Sequence, residues 1–171
     1  MVKFIPRGKN VSTEEHQKLS VESKYGEGLY MLNRCLDDIE YLVKKLKKYI
    51  RKQREASKGN GDPVRPSVPP SEEDATETIK KAKFAFNLAE SLKECAPEAF
   101  KKVFIRLITF VDWMDDLCKT KSLIAFYPVN MVRDAIEPLL QKNTLNSIKE
   151  LLDSTLKEKW LQLGNAWNTP P

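Results

Sequence analysis

One stretch of the sequence repeats apolar residues at alternating spacings of three and four, and it constrains the fold more than any other feature. The repeat holds for nearly four heptads and comprises Tyr25, Leu29, Leu32, Leu36, Ile39, Val43, Leu46 and Ile50. Such spacing places every member on one face of an α-helix. With Leu29 at heptad position a, the g positions are apolar too, which is typical of a helix packed within a bundle; they are Cys35, Leu42 and Tyr49. The regular helix is predicted to begin near Glu27, because a glycine such as Gly26 costs about 1 kcal/mol inside a helix.

Two more helices are predicted in the middle of the chain. Ser71, followed by the carboxylates of 72–74, supplies an N-cap and a favourable first turn. This second helix is expected to end near Cys95, because Pro97 can begin a helix but cannot continue one. A third helix is predicted over about 97–119, and its apolar residues cover more than one face. We therefore expect the third helix to lie centrally.

Three shorter helices are predicted toward the end of the sequence. One begins near 129, carries Val132, Ile136, Leu139 and Leu140, and is interrupted by Pro138. Thr144 and Ser154 are the predicted caps of the next two, and the last one ends at Gly164. Trp160 and Leu163, at i, i+3 spacing in the tail motif WLQLGNAW (160–167), are expected to fold back over the end of the bundle, with a Trp-centred partner pocket as the alternative.

The domain organisation follows from where the apolar periodicity stops. Residues 1–20 are polar and irregular, which predicts a loose N-terminal tail. The stretch 56–70 is rich in proline and glycine and predicts a linker. No stretch alternates as a β-strand would. The sequence thus predicts a single all-α domain over 21–171, a bundle of about four to six helices with one long Pro/Gly-rich crossover loop.

Composition weighs against most classes of enzyme. The six glycines form no phosphate-binding motif. The single histidine, His16, lies in the polar stretch STEEHQK, so neither a histidine triad nor a histidine-rich metal site can be assembled. We expect no enzyme activity and no catalytic, cofactor-binding or metal-binding residue.

Cysteine usage and hydropathy predict the compartment. Cys35, Cys95 and Cys118 are odd in number, widely spaced and surrounded by apolar helical positions, so they are interpreted as buried thiols in a reducing compartment. The N-terminus lacks the apolar core of a signal peptide, and no stretch approaches the length of a membrane span. We expect a soluble, cytoplasmic protein.

Basic residues are concentrated at the end of the first helix and form the basic face, which comprises Lys44, Lys45, Lys47, Lys48, Arg51, Lys52 and Arg54. They occupy heptad positions b, c, e and f and point away from the apolar stripe. One interpretation is a solvated helix surface. The other is an electrostatic interaction face for anionic phosphoinositide membrane or for actin. Nucleic acid is not expected, because Tyr49 is the one aromatic residue among these positions and it faces the stripe.

Two carboxylate clusters provide a remote alternative. Leu36–Glu40 and Asp112–Asp116 resemble the Asp-rich helices of isoprenoid synthases, which hold Mg²⁺. Against a metal-dependent enzyme, Asp37 and Asp38 lie outside the apolar stripe and the chain is far shorter than such a synthase. Ion pairing is the favoured interpretation. A further minor alternative is that 65–70, RPSVPP, serves as a proline-rich ligand.

Four segments taken together resemble a known family. They are 29–48 (LYMLNRCLDDIEYLVKKLKK), 81–93 (KAKFAFNLAESLK), 137–148 (EPLLQKNTLNSI) and 158–167 (EKWLQLGNAW). In this order they resemble the central, spectrin-like helical region of the epidermal growth factor receptor kinase substrate 8 family of signalling adaptors. The stretch 97–130 departs from the family pattern, and its surface is expected to bind a different partner.

The resemblance implies a spectrin-like bundle that binds protein partners through its helix faces. It implies partners in receptor tyrosine kinase, small-GTPase and actin pathways, and a location in the cytoplasm, at the cell cortex or in actin-rich projections. No residue is carried over as catalytic or ligand-binding. Leu36–Glu40 and Trp160–Trp167 match the family as structural landmarks.

Overall fold

The computed structural model describes residues 23–58 and 67–171, and within these ranges the chain is helical without a β-strand. Six helices follow one another, and they are α1 (Ser23–Ser57), α2 (Glu72–Leu92), α3 (Pro97–Leu117), α4 (Lys142–Leu151), α5 (Ser154–Gln162) and α6 (Asn165–Asn168). The predicted all-α, spectrin-like bundle is confirmed. The N-terminal tail predicted over 1–20, His16 and most of the predicted linker lie outside the described residues.

Helix α1 buries the apolar stripe that its heptads predict. The d positions Leu32, Ile39 and Leu46 are at most 1% exposed. The g positions are buried as well, whereas Leu29, Val43 and Ile50 at position a are only partly buried. The buried face is therefore centred on position d. The predicted start near Glu27 was wrong, because α1 begins at Ser23 and its packing on α2 outweighs the modest cost of two glycines.

Helix α2 packs against α1, α3 and α4 and is the central helix of the bundle. Its predicted start is confirmed, because the Ser71 hydroxyl accepts a hydrogen bond from the Asp74 backbone N–H at 3.1 Å. It ends at Leu92, slightly before the predicted Cys95, and Pro97 occupies the first turn of α3 as predicted. The expectation that α3 is central was wrong, since α3 leaves Ile105 and its basic neighbours exposed.

The stretch 118–141 forms turns and irregular chain rather than helix. The helix predicted from about 129 was therefore wrong. Its apolar residues do not share one face, because Val132 is fully buried while Ile136 is 60% exposed. Pro138 also lacks a backbone donor. Backbone carbonyls of this irregular segment accept hydrogen bonds from side chains of α2 and α6 instead of continuing a helical ladder.

The last three helices close one end of the bundle. Two predicted caps were wrong: α4 begins at Lys142 with Thr144 buried inside it, and the cap of α5 is Asp153, which accepts a hydrogen bond from the Leu156 N–H at 2.8 Å. Gly164 has a positive φ of 85°, as its place at the helix end predicts. Trp160 and Leu163 are buried, so the predicted closure is confirmed. Trp160 also contacts the buried Trp167 edge to face, with ring centroids 5.6 Å apart.

The three cysteines differ in exposure. Cys35 and Cys118 are buried as predicted, but Cys95 is exposed in the turn between α2 and α3, which corrects the prediction for that residue. Burial raises the pKa of the Cys118 thiol to about 11. Within 23–58 and 67–171, none of the helices combines the length and apolar character needed to cross a bilayer.

Candidate functional site

All seven residues of the basic face are exposed on the second half of α1. Their exposure follows from the heptad, because the opposite side of the same helix is buried against α2. Residues 44–58 contain eight basic residues and one acidic residue, Glu55. The C-terminal end of a helix favours positive charge, so the cations also suit their place in α1.

Local contacts neutralise little of this charge. Lys44 lies 3.5 Å from the Glu40 carboxylate, in a pair whose lysine is 75% exposed. The Lys45 ammonium lies over the ring of Tyr41, 4.5 Å from its centroid. A cation–π contact leaves the charge of the lysine in place. The basic face is therefore a solvated, strongly positive surface whose function as an interaction face stays a prediction.

The proline-rich alternative is disfavoured where the chain can be described. Of the stretch 65–70, residues 67–70 lie within the described range. Pro69 is buried, and the carbonyl of Pro70 accepts a hydrogen bond from the Tyr127 hydroxyl at 2.6 Å. A proline-rich ligand has to present its prolines to the binding domain. Here Pro69 is buried against the bundle, and Pro70 is held by its carbonyl.

The predicted carboxylate clusters pair with lysines of other helices. Asp38 of α1 binds the Lys81 ammonium of α2 at 2.8 Å. On α3, Asp112 and Asp116 both bind Lys159 of α5, at 3.2 and 3.3 Å. The hydrogen bond to Asp112 is the largest cause of a raised pKa at Lys159. Within the described part of the chain, no group of three or more His, Cys, Asp or Glu residues is arranged to hold a metal ion.

A second cationic site lies in the core, and the sequence analysis did not identify it. Lys83 of α2 is 0% exposed. Its ammonium donates hydrogen bonds to the carbonyl oxygens of Ala135 (2.6 Å), Ile136 (2.8 Å) and Ala166 (2.5 Å). The ammonium thus has one carbonyl acceptor for each of its three protons.

Trp167 completes this core site. The Lys83 ammonium lies 4.8 Å from the centroid of the Trp167 ring, and the indole N–H donates to the Val132 carbonyl at 2.7 Å. The site therefore joins α2, the irregular segment and α6. A signal was present in the sequence, because Lys83 follows Ile79 by four residues and precedes Phe86 by three, on the apolar face of α2.

Burial lowers the pKa of Lys83 from 10.5 to about 8. Desolvation disfavours the charged form, while the three carbonyl oxygens and the ring face favour it. At neutral pH the lysine therefore stays protonated and holds its three acceptors. Because Lys83 is fully buried and its acceptors are backbone carbonyls of two other parts of the chain, we interpret the site as a structural centre.

Comparison with known proteins identifies the family to which this chain belongs. The model of the EPS8 spectrin-like domain matches residues 27–171. The chain is similar to epidermal growth factor receptor kinase substrate 8 from Homo sapiens, Pongo abelii and Rattus norvegicus, at 23% identity in each case. Each similarity covers 90% of this chain and 19% of the relative, so the chain spans about a fifth of the length of these curated relatives. No solved structure matches.

Proposed function

This chain belongs to the family of EPS8 spectrin-like domains, and on that premise we propose that it is a non-catalytic helical module that binds other proteins. The EPS8 family is a non-enzymatic family of adaptors. The module would belong to an adaptor that links receptor tyrosine kinase signalling to small GTPases and to actin remodelling. It would act in the cytoplasm, at the cell cortex or in actin-rich projections.

The observation that carries this proposal is the exposure of the basic face on a helix whose other side is buried. Because α1 is held by its apolar stripe, the seven cations cannot turn inward to find partners. A fixed patch of one charge raises the encounter rate with an oppositely charged surface and orients the encounter. An acidic protein surface is the expected partner.

A pull-down from cytosol tests the proposal, with this chain immobilised as bait and the retained proteins identified by mass spectrometry. We expect signalling or actin regulators to be retained. A bait carrying Lys47→Glu, Lys48→Glu and Arg51→Glu should retain much less, because these exchanges lower the net charge of the basic face from +7 to +1. A bait that retains nothing, while the same chain binds lipid vesicles strongly, contradicts the proposal.

The second candidate function is anchoring of the basic face to phosphoinositide membrane or to filamentous actin. The continuous exposure of all seven cations favours it, because each lysine or arginine near an anionic membrane contributes about 1 kcal/mol. The same triple variant should abolish co-sedimentation with vesicles or filaments without lowering the melting temperature. Unchanged co-sedimentation would rule out this face.

A further inference from the structure

A groove runs along one edge of the basic face. On α1 it is lined by a single stripe of heptad positions c, f and g, and these residues are Asp38, Tyr41, Leu42, Lys45, Lys48, Tyr49 and Lys52. Its opposite wall consists of the stretch 67–70 and of Asp74, Glu77, Thr78 and Lys81 on α2. Two adjoining cavities of about 260 and 370 Å³ form the groove, and both are lined by Lys45 and Pro70. A partner segment could therefore lie along α1.

The groove is formed before any partner arrives. Pro69 is buried, and the Pro70 carbonyl is held by the Tyr127 hydroxyl at 2.6 Å. Directly after it, the capping hydrogen bond of Ser71 fixes the start of α2. A wall held from behind in this way requires little ordering upon binding, and such preorganisation favours affinity.

The two ends of the groove differ in charge, one being basic and the other more acidic. Lys45, Lys48 and Lys52 line one end, and none of the acidic residues in the described ranges contributes to its lining. Asp38, Asp74 and Glu77 line the other end, accompanied by Lys45, which both cavities share, and by Lys81, which is paired with Asp38. From Asp38 to Lys52 the rise of α1 is about 21 Å, the length of about 14 helical residues. The groove is thus bipolar along a distance that suits a short helix.

Exposed apolar side chains lie between the two charged ends. Tyr41 is 61% exposed on α1, and Val68 is 74% exposed on the opposite wall. Covering such side chains with a partner favours binding, because it removes apolar surface from water. Together with the charged ends, they supply an apolar middle for a bound segment.

We propose that this groove binds a helical segment of a partner protein with acidic side chains at one end, an apolar side chain in the middle and basic side chains at the other end. The inference rests on the proposed function and narrows it to one edge of the basic face. Charge complementarity at both ends favours a peptide of this pattern. An anionic membrane fits less well, because the groove is concave and its acidic end repels lipid headgroups.

Selection of random peptides of about 16 residues displayed on phage, against the immobilised full chain, tests the inference. Enriched peptides should carry an acidic block and a basic block separated by apolar residues. Their affinity, measured by fluorescence anisotropy, should fall at least about tenfold for the groove variant Lys45→Glu/Lys48→Glu/Lys52→Glu. The matched control Lys47→Glu/Arg51→Glu/Arg54→Glu changes net charge equally on the outer side of α1 and should bind nearly as wild type.

A charge exchange at the acidic end provides a second, independent variant. Glu77 is 60% exposed at the side chain and pairs loosely with Lys80 at 3.8 Å, so Glu77→Lys leaves the fold intact. The Glu77→Lys variant should bind peptides with an intact basic block more weakly than the wild type does. Its affinity for peptides whose basic block has been neutralised should be unchanged. Peptides that lack the bipolar pattern, an absence of enrichment, or equal losses in the groove and control variants would overturn the inference.

These outcomes separate the inference from the proposed function. If the pull-down retains partners that the groove and control variants lose equally, the module binds proteins through the whole basic face and the groove inference fails alone. A second outcome is that the chain co-sediments with vesicles that contain phosphoinositide, that both variants abolish this co-sedimentation equally, and that no peptide is enriched. A membrane is then the ligand, and both the groove inference and the proposed function fail.

Discussion

Lys83 of α2 and Lys48 of α1 carry the same ammonium group in opposite surroundings. Lys83 is 0% exposed and its three protons meet three backbone carbonyls, whereas Lys48 is exposed among six other cations. Burial lowers the pKa of Lys83 to about 8. The comparison shows that position on the helix, and not residue type, decides whether a lysine is buried within the fold or exposed at the surface.

The two regions also differ in what they organise. The carbonyls held by Lys83 belong to the irregular segment and to α6, neither of which has a long helical ladder of its own. One buried cation therefore orders chain that lies far from it in sequence. Among the described residues, the ion pair and the cation–π contact of the basic face stay within α1, where Lys44 lies near Glu40 and Lys45 lies over Tyr41. All seven of its cations are exposed to solvent.

Replacement of Lys83 by alanine should produce the largest effect. Lys83→Ala leaves three buried carbonyls without a donor and opens a cavity, so the free energy of unfolding should fall by about 3–5 kcal/mol. Urea denaturation measures it. Lys80→Ala on the same helix is the control and should cost less than about 1 kcal/mol, because the pair that Lys80 forms with Glu77 is long, at 3.8 Å, and exposed. Equal losses of stability in Lys83→Ala and Lys80→Ala would refute the view that burial gives Lys83 its larger effect on the fold.

Replacement of Trp167 by phenylalanine should have a smaller effect on the same site. Trp167→Phe keeps an aromatic ring near the Lys83 ammonium but removes the donor to the Val132 carbonyl. The expected loss is about 1–3 kcal/mol, since a buried acceptor is left unpaired. Thermal and urea unfolding measure it. A variant as stable as the wild type would show that this hydrogen bond does not help to hold the irregular segment.

The pH dependence of stability should distinguish the buried lysine from the exposed ones. Between about pH 8 and 10.5 the folded chain has released the Lys83 proton that the unfolded chain still binds, so raising the pH favours the folded state. The free energy of unfolding of the wild type should rise relative to that of Lys83→Met, by up to about 1 kcal/mol per pH unit.

Denaturation series at several pH values between 7 and 10 check this difference. Burial also raises the pKa of Cys118 and of Tyr127, and both groups oppose the trend by favouring the unfolded chain at high pH. Their contribution is common to the two proteins and cancels. A difference that stays flat with pH would mean that Lys83 does not change its protonation in this range.

Charge reversal on the basic face should have the smallest effect on stability. Lys47→Glu/Arg51→Glu/Arg54→Glu relieves repulsion among neighbours and opposes the helix dipole, and these small contributions have opposite signs. We expect the free energy of unfolding to change by less than about 1 kcal/mol in calorimetry. A loss comparable to that of Lys83→Ala would assign the basic face to the fold rather than to binding.

The sequence predicts those parts of the fold that are stabilised by local periodicity. The buried stripe of α1, the Ser71 cap, the start of α3 at Pro97 and the Trp closure were all predicted from residues within a few turns of one another. The family was predicted as well, from segments that recur in order. These features depend on spacings that a sequence displays directly.

The parts that could not be predicted depend on distant contacts. The irregular segment resembles a helix by its apolar residues, but its carbonyls bind Lys83, Asn87 and Trp167, which lie between 35 and 53 positions away. Thr144 resembles a cap, yet its hydroxyl binds Asn87 across the bundle at 2.8 Å. The groove beside the basic face also requires two helices and a turn to be placed together, so the heptad alone shows its cations but not its shape.

Because Cys95 is exposed while the other two cysteines are buried, the rates at which the three thiols react can report partial opening of the fold. Cys95 should react with a thiol reagent in the folded state, while Cys35 in the α1 stripe and Cys118 at the end of α3 are shielded. The raised pKa of Cys118 slows it further, because the thiolate is the reactive form. The later reaction of these two thiols reports, separately, how often α1 lifts from the bundle and how often the irregular segment detaches.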